Sequence, residues 1–250
     1  MLLRLSSVLS AIVLLGSAGA GGMPALPPDL LWHTVKVCAE SYLLTGVPFP
    51  CLDVQLQSDR KVGFAVVPVP AAAEVLLVPT ERIAGIESPQ LMLPEAPNWW
   101  RFAWEARHFL KRRAGSSVAD NDVVLAINSE RSRSQNQLHI HVACIRPGVA
   151  RQIRRREDMI RSTWSHSTLR IQSEKWFVMR LIGKDLQTDP FALLADLKRN
   201  STAQIAGWSL AVLSWTFADE TDGFVVLASN EPRPATGSIA KIIDPLCNSG

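Results

Sequence analysis

The segment from Asn128 to Cys144 reads NSERSRSQNQLHIHVAC and concentrates the residue types that can act on phosphorus. His139 and His141 are separated by one residue. In an extended strand both side chains leave the same face, about 6.7 Å apart, while Ile140 and Val142 point the other way. Ahead of them stand Asn128, Arg131, Arg133, Ser134, Gln135, Asn136 and Gln137, a run of hydrogen-bond donors and acceptors. Neutral imidazole is a good nucleophile at phosphorus near neutral pH, and such donors can stabilise the equatorial oxygens of the transition state. Three readings of the pair compete at this point. Both histidines can be packed in a core strand, both can ligate a metal, or one can act as a nucleophile. A metal needs a further ligand, and His33, His108 and His166 stand at no ligand-like spacing. The polar loop favours the nucleophile, because a core strand has no need of it.

A strand that presents two histidines needs a sheet around it. Val123–Ile127 and Leu138–Ile145 read as two strands joined by the polar loop. Gly63–Val69 and Glu74–Val78 are further β-rich runs, the second closed by Pro79. Apolar residues at helical spacing (Leu31, Val35, Cys38, Tyr42) predict a helix over Leu30–Leu44. A longer helix is expected over Asn98–Arg113, entered after Pro97 and ended by Gly115, with Trp100, Phe102 and Trp104 as core packing. The second half predicts a strand at Trp176–Ile182 and a helix at Pro190–Lys198 with Asp189 as N-cap. Trp208–Phe217 and Phe224–Ala228 form a hairpin pattern around ADETDG. The fold class is α+β, with a mainly antiparallel sheet and flanking helices.

The 250 residues are 47% hydrophobic and 20% charged, which excludes a disordered chain and a polytopic membrane protein. Net charge is only +3, too weak a bias for a nucleic-acid partner. Residues 1–20 have one cation, Arg4, then an apolar run to Leu15, with Ala18 and Ala20 placed for cleavage. This is the layout of a signal peptide, or of a signal anchor if it is retained. A Gly- and Pro-rich linker over 21–28 separates it from one domain over 29–250. Export places Cys38, Cys51, Cys144 and Cys247 in an oxidising compartment, where three pairings are open. The favoured one joins Cys38 to Cys51 across a short connection and Cys144 to Cys247 at the tail.

The same residues carry a resemblance. Asn128, Gln135, His139 and His141 have the spacing of the histidine-triad superfamily's active-site strand. More specifically, the chain resembles the bacterial CDP-diacylglycerol pyrophosphatase family through LWHTVKVC at Leu31, PFPCLDV at Pro48 and LLVPTERIAGIESPQLM at Leu76. PNWWRFAWEAR at Pro97 and RSQNQLHIHVACIRP at Arg133 complete the pattern, in the family's order over residues 30–147. The resemblance implies a histidine-triad-like fold and hydrolysis of CDP-diacylglycerol to CMP and phosphatidate at a membrane surface. The protein would lie on the periplasmic side of the bacterial inner membrane, anchored or peripheral. His141 falls on the nucleophile, which would form a histidine–CMP intermediate without metal or other cofactor. His139 falls on the histidine that orients it. Asn128, Gln135 and Asn136 fall where phosphate is bound and the nucleophile oriented.

Arg131 and Arg133 are read either as neutralising the diphosphate or as solvated loop charges. The superfamily's third histidine position is Ala143 here, so a proton donor to the leaving oxygen is missing from that place. A phosphate monoester with a second pKa near ~6 can leave without one. Glu87 in GIESP is a helix-entry carboxylate or a contact near the site, the structural role being favoured. Six arginines between Arg146 and Arg161 form a solvated helix face or an anionic-lipid contact. A broader nucleotide pyrophosphatase, a CMP transferase and a non-catalytic nucleotide-lipid binding protein are the competing functions.

Overall fold

The computed structural model describes residues 26–57, 62–115, 118–165, 169–198, 205–230 and 238–248. The leader over 1–20, residues 21–25 of the linker, His166 and the Asn200 sequon lie outside the described residues. In chain order the elements are α1 (Leu30–Thr45), β1 (Asp53–Leu56), β2 (Gly63–Pro68), β3 (Val75–Pro79), α2 (Trp99–Glu105), α3 (Arg107–Ala114), β4 (Val123–Ile127), β5 (Ile140–Ile145) and α4 (Pro147–Arg154). Then come β6 (Leu169–Ile171), β7 (Glu174–Ile182), α5 (Pro190–Lys198), β8 (Trp208–Thr216), β9 (Asp222–Asn230) and β10 (Ile243–Asp244).

The strands form one sheet in the order β1-β2-β3-β5-β4-β8-β9-β7-β6, with β10 paired to β5 beyond the end of β3. Every pairing is antiparallel. With its flanking helices this is the expected α+β fold. Period-two alternation sends Leu77, Leu125, Ile140, Val142, Leu210 and Val212 to one face, where they pack with Trp99, Trp100 and Trp104. Trp100 meets Phe191 of α5 edge-on at 5.4 Å, and Trp104 meets Phe224 of β9 at 5.2 Å. The tryptophans are therefore core, as the sequence indicated.

The opposite face is covered in two separate patches. Leu31, Val35 and Cys38 of α1 pack on Val54, Ala65, Val67 and Val78. Val149 and Ile153 of α4, with Ile239 and Ile242, pack on Val124, Ala126, Ala211, Leu213 and Leu227. Between these patches the sheet carries polar side chains. The disulfides are Cys38–Cys51 and Cys144–Cys247, the favoured pairing. The first closes a 13-residue separation at the base of the α1–β1 connection, a constraint of about 3 kcal/mol in the chain-entropy account. The second ties the tail to β5.

Some boundaries differ from the sequence reading. The helix expected over Asn98–Arg113 is two, α2 and α3, divided at Ala106. There the Arg107 guanidinium donates to the Trp104 carbonyl at 2.8 Å while stacking over its ring, and the His108 ring bonds the Glu105 carbonyl. Side chains thus compete for the carbonyls that a continuous helix would use. β5 begins at Ile140 rather than Leu138, because the Leu138 N–H donates to Ile83 outside the strand ladder. β1, β6 and β10 were not foreseen, while α4 falls in the arginine-rich stretch whose plainer reading is a solvated helix face. β1, β6 and β10 hold four residues or fewer, too few for a periodic signal.

Candidate active site

His141 lies in the middle of the sheet, paired with Leu76 of β3 on one side and Ala126 of β4 on the other. His139 precedes β5 by one residue but keeps the alternation. The two rings stand 5.0 Å apart on the same face, at 59° to each other. They occupy the gap between the α1 patch and the α4 patch. Ile140 and Val142 point into the tryptophan core and fix the strand from behind.

The two imidazoles have different partners. His139 is buried, and its Nδ1 donates to the Gln137 carbonyl at 2.7 Å, leaving the Nε2 lone pair available. Burial, and next the adjacent His141, push its pKa from 6.5 down to about 3, with a smaller opposing effect from the Gln137 carbonyl. His139 is therefore neutral at physiological pH and cannot serve as a cationic clamp or a general acid. His141 is partly exposed, and its Nδ1 donates to the carboxylate of Glu74, which is itself buried. Its Nε2 has no hydrogen-bond partner among the described residues. The carboxylate fixes the Nδ1–H tautomer and leaves the basic nitrogen, itself buried, without a protein partner among the described residues.

Glu74 immediately precedes β3. Val75 pairs with Val142, so the next step of the register sets Glu74 opposite Ala143. The small side chain at Ala143 leaves room there, and a carboxylate from a neighbouring strand enters it. Sequence reading saw Glu74 only as the head of a strand. A carboxylate opening an otherwise apolar run was the sole signal, and nothing in the sequence showed which strand would lie beside it.

The remaining candidates divide. Asn128 follows β4, where continuing the Ala126–His141 and Ala126–Ala211 pairings sets it between His139 and Ser209. Its Oδ1 is buried with no partner among the described residues. Ser209, also missed from sequence, is buried and accepts from the Ser129 N–H at 3.0 Å, holding the turn that follows Asn128. Arg133 is nearly buried, and its Nη1 contacts both carboxylate oxygens of Glu87 at 2.6 Å. A Cβ on Gly85 would sit 2.1 Å from that nitrogen, so only glycine lets the guanidinium pass. Glu87 is thus the partner of Arg133, a structural role other than the helix-entry carboxylate expected of it.

Gln135 accepts from the Leu31 N–H at 2.8 Å and donates to the Pro27 carbonyl at 3.1 Å, which caps α1 rather than facing the histidines. Gln137 is fully buried and donates to the Pro79 and Glu81 carbonyls. Arg131, Ser134 and Asn136 are exposed on the loop. The structure therefore gathers His141, His139, Asn128 and the unforeseen Glu74, and it gives Arg133, Gln135 and Gln137 protein partners.

A basic nitrogen on a carboxylate-fixed imidazole, beside a neutral histidine and an unpartnered amide, is equipped for attack on phosphorus. Comparison with known proteins gives the family. The chain matches the model of a family described as CDP-diacylglycerol pyrophosphatase over residues 26–250. A CDP-diacylglycerol pyrophosphatase of Yersinia pestis is 33% identical over 204 residues, covering 80% of this chain and 76% of that protein. This chain belongs to the CDP-diacylglycerol pyrophosphatase family.

Proposed function

We propose that the protein hydrolyses CDP-diacylglycerol to CMP and phosphatidate through a covalent intermediate on His141. The observation that carries this reading is the Glu74–His141 pair with its unpartnered Nε2. In the first step the Nε2 lone pair attacks the phosphorus of the CMP moiety in line. The bond to the bridging oxygen breaks, and its electron pair leaves with phosphatidate. The product is a phosphoramidate whose imidazole carries a positive charge, with Nδ1–H held against the Glu74 carboxylate. That carboxylate stabilises the charge as it forms, as the buried acid does for the histidine of a hydrolase triad.

In the second step water attacks the same phosphorus and Nε2 departs with its electron pair. The proton from water passes to solvent, and His141 returns to its starting tautomer. Phosphatidate leaves as a phosphate monoester with a second pKa near ~6, so the absence of an acid at Ala143 is no obstacle. His139, held neutral, can accept a hydrogen bond without repelling the cationic intermediate. The unpartnered Asn128 amide, its ends interchangeable by rotation, is placed to bind a phosphoryl oxygen. The two disulfides support export to an oxidising compartment. A lipid substrate supports work at the membrane surface, in phospholipid turnover.

Mass spectrometry of protein quenched without acid during turnover tests the reading. An adduct of CMP mass is expected on the peptide carrying His141, and it is lost in His141→Ala. Full turnover with no adduct, or full turnover in His141→Ala, would refute it.

A further inference from the structure

The last turn of α1 and the connection that leads to β1 expose apolar side chains. Leu44 is 84% exposed, Phe49 61% and Val47 57%, with Tyr42 and Leu43 also outward. From Ser41 to Leu52 there is no charged residue. A contiguous apolar projection of this kind marks an interaction site.

Several backbone groups of this projection are satisfied from within. The Gly46 N–H donates to the Tyr42 carbonyl at 2.9 Å, with Gly46 in the left-handed conformation that closes the helix. The Ser41 hydroxyl donates to the Val47 carbonyl at 2.8 Å and the Thr45 hydroxyl to the Ser41 carbonyl at 2.8 Å. The Val47 N–H in turn donates to the Thr45 hydroxyl at 3.1 Å. Polar groups satisfied internally are what hydrocarbon requires of a segment entering it, and a water-facing loop has no such need. Cys38–Cys51 fixes the base, so ordering on contact loses little entropy.

The position suits a lipid substrate. Leu52, at the root, donates from its N–H to Val66. The next residue of β2, Val67, pairs with Leu76, and Leu76 with His141, so the root lies about three strand spacings, ~14 Å, from the histidine. β1 starts and β5 ends at the same end of the sheet. α4 follows β5 from this end of the sheet, across the histidine gap from α1, and it carries Arg151 and, at its end, Arg155 and Arg156, all exposed.

We infer that the Tyr42–Phe49 connection is a lip that enters the acyl region of a phospholipid bilayer, with the α4 arginines set against anionic headgroups. This rests on the reading that the substrate is drawn from a bilayer. In the full-length protein, a solvatochromic dye on Leu44→Cys should shift to the blue on vesicles of phosphatidylglycerol and phosphatidylethanolamine, and brominated acyl chains should quench it. The same dye on Arg170→Cys, an exposed site on β6, should do neither. Leu44→Ser with Phe49→Ser should raise the apparent KM for CDP-diacylglycerol in vesicles at least tenfold, while turnover of short-chain monomeric substrate stays unchanged.

A dye at position 44 that stays in water on vesicle-bound protein would overturn the lip. So would an equal loss on vesicle and monomeric substrate. A blue shift that grows with protein concentration in the absence of vesicles would also overturn it, in favour of a second copy. Failure of the wild type to cleave monomeric substrate would instead refute the hydrolytic reading, and the dye measurement is independent of turnover.

Discussion

His139 makes the protein acid-sensitive in a calculable way. Its pKa is held at about 3 in the folded state against 6.5 as its ordinary value. A histidine with a depressed folded pKa contributes no penalty above the unfolded value. As pH falls below 6.5 the unfolded chain takes up a proton that the folded chain refuses, so stability drops until pH approaches 3. Each unit is worth ~1.4 kcal/mol, and moving from pH 7 to pH 5 therefore costs roughly 2 kcal/mol from this one group.

Urea denaturation at both pH values, with disulfides intact, measures the effect against His139→Gln. Wild type should lose roughly 2 kcal/mol more than the variant over that interval. Asp189 acts in the opposite direction. Burial raises its carboxyl from 3.8 to about 6, so it favours the folded state as pH falls through 6. It is present in both proteins and cancels in the comparison. His141 and Arg133, the charged or titratable neighbours that depress His139, also remain in the variant. Parallel pH profiles for the two proteins would refute the assignment of a buried, neutral His139.

Further outcomes follow from the same geometry. Glu74→Gln should lower kcat by about a hundredfold or more with KM little changed, and 15N spectra of the His141 ring should show loss of the Nδ1–H tautomer preference. Arg133→Met leaves the Glu87 carboxylate without its partner and should destabilise the fold by about 3 kcal/mol in thermal or urea unfolding. Gly85→Ala should also destabilise it, since the new Cβ meets both members of that pair. Asp189→Asn keeps the cap on Phe191 and removes a buried charge. It should stabilise the protein by up to ~3 kcal/mol at pH 7, a gain that falls to roughly 0.5 kcal/mol at pH 4.

Local pattern determined a good deal. One-residue spacing put both imidazoles on one face because successive strand side chains alternate. Four cysteines and a short Pro-rich connection indicated the disulfide pairing, and Asp189-Pro190 marked a helix start, since these are constraints between near neighbours or a small set of pairings. The ~16 residues between Asn98 and Arg113 were read as one helix because the carbonyl competition at Ala106 depends on side-chain contacts that periodicity does not record.

Partners distant in sequence were decided only by the tertiary structure. Arg133 was expected on the substrate's diphosphate, but the fold sets Glu87 against it, 46 residues away. Gln135 was expected on phosphate and instead caps α1, 104 residues away. Glu74 reaches His141 across 67 residues because β3 and β5 pair in one register. A shift of one residue would have turned that carboxylate to the other face. A strand's own residues specify which face each side chain takes, whereas its neighbour is chosen by the packing of the whole sheet.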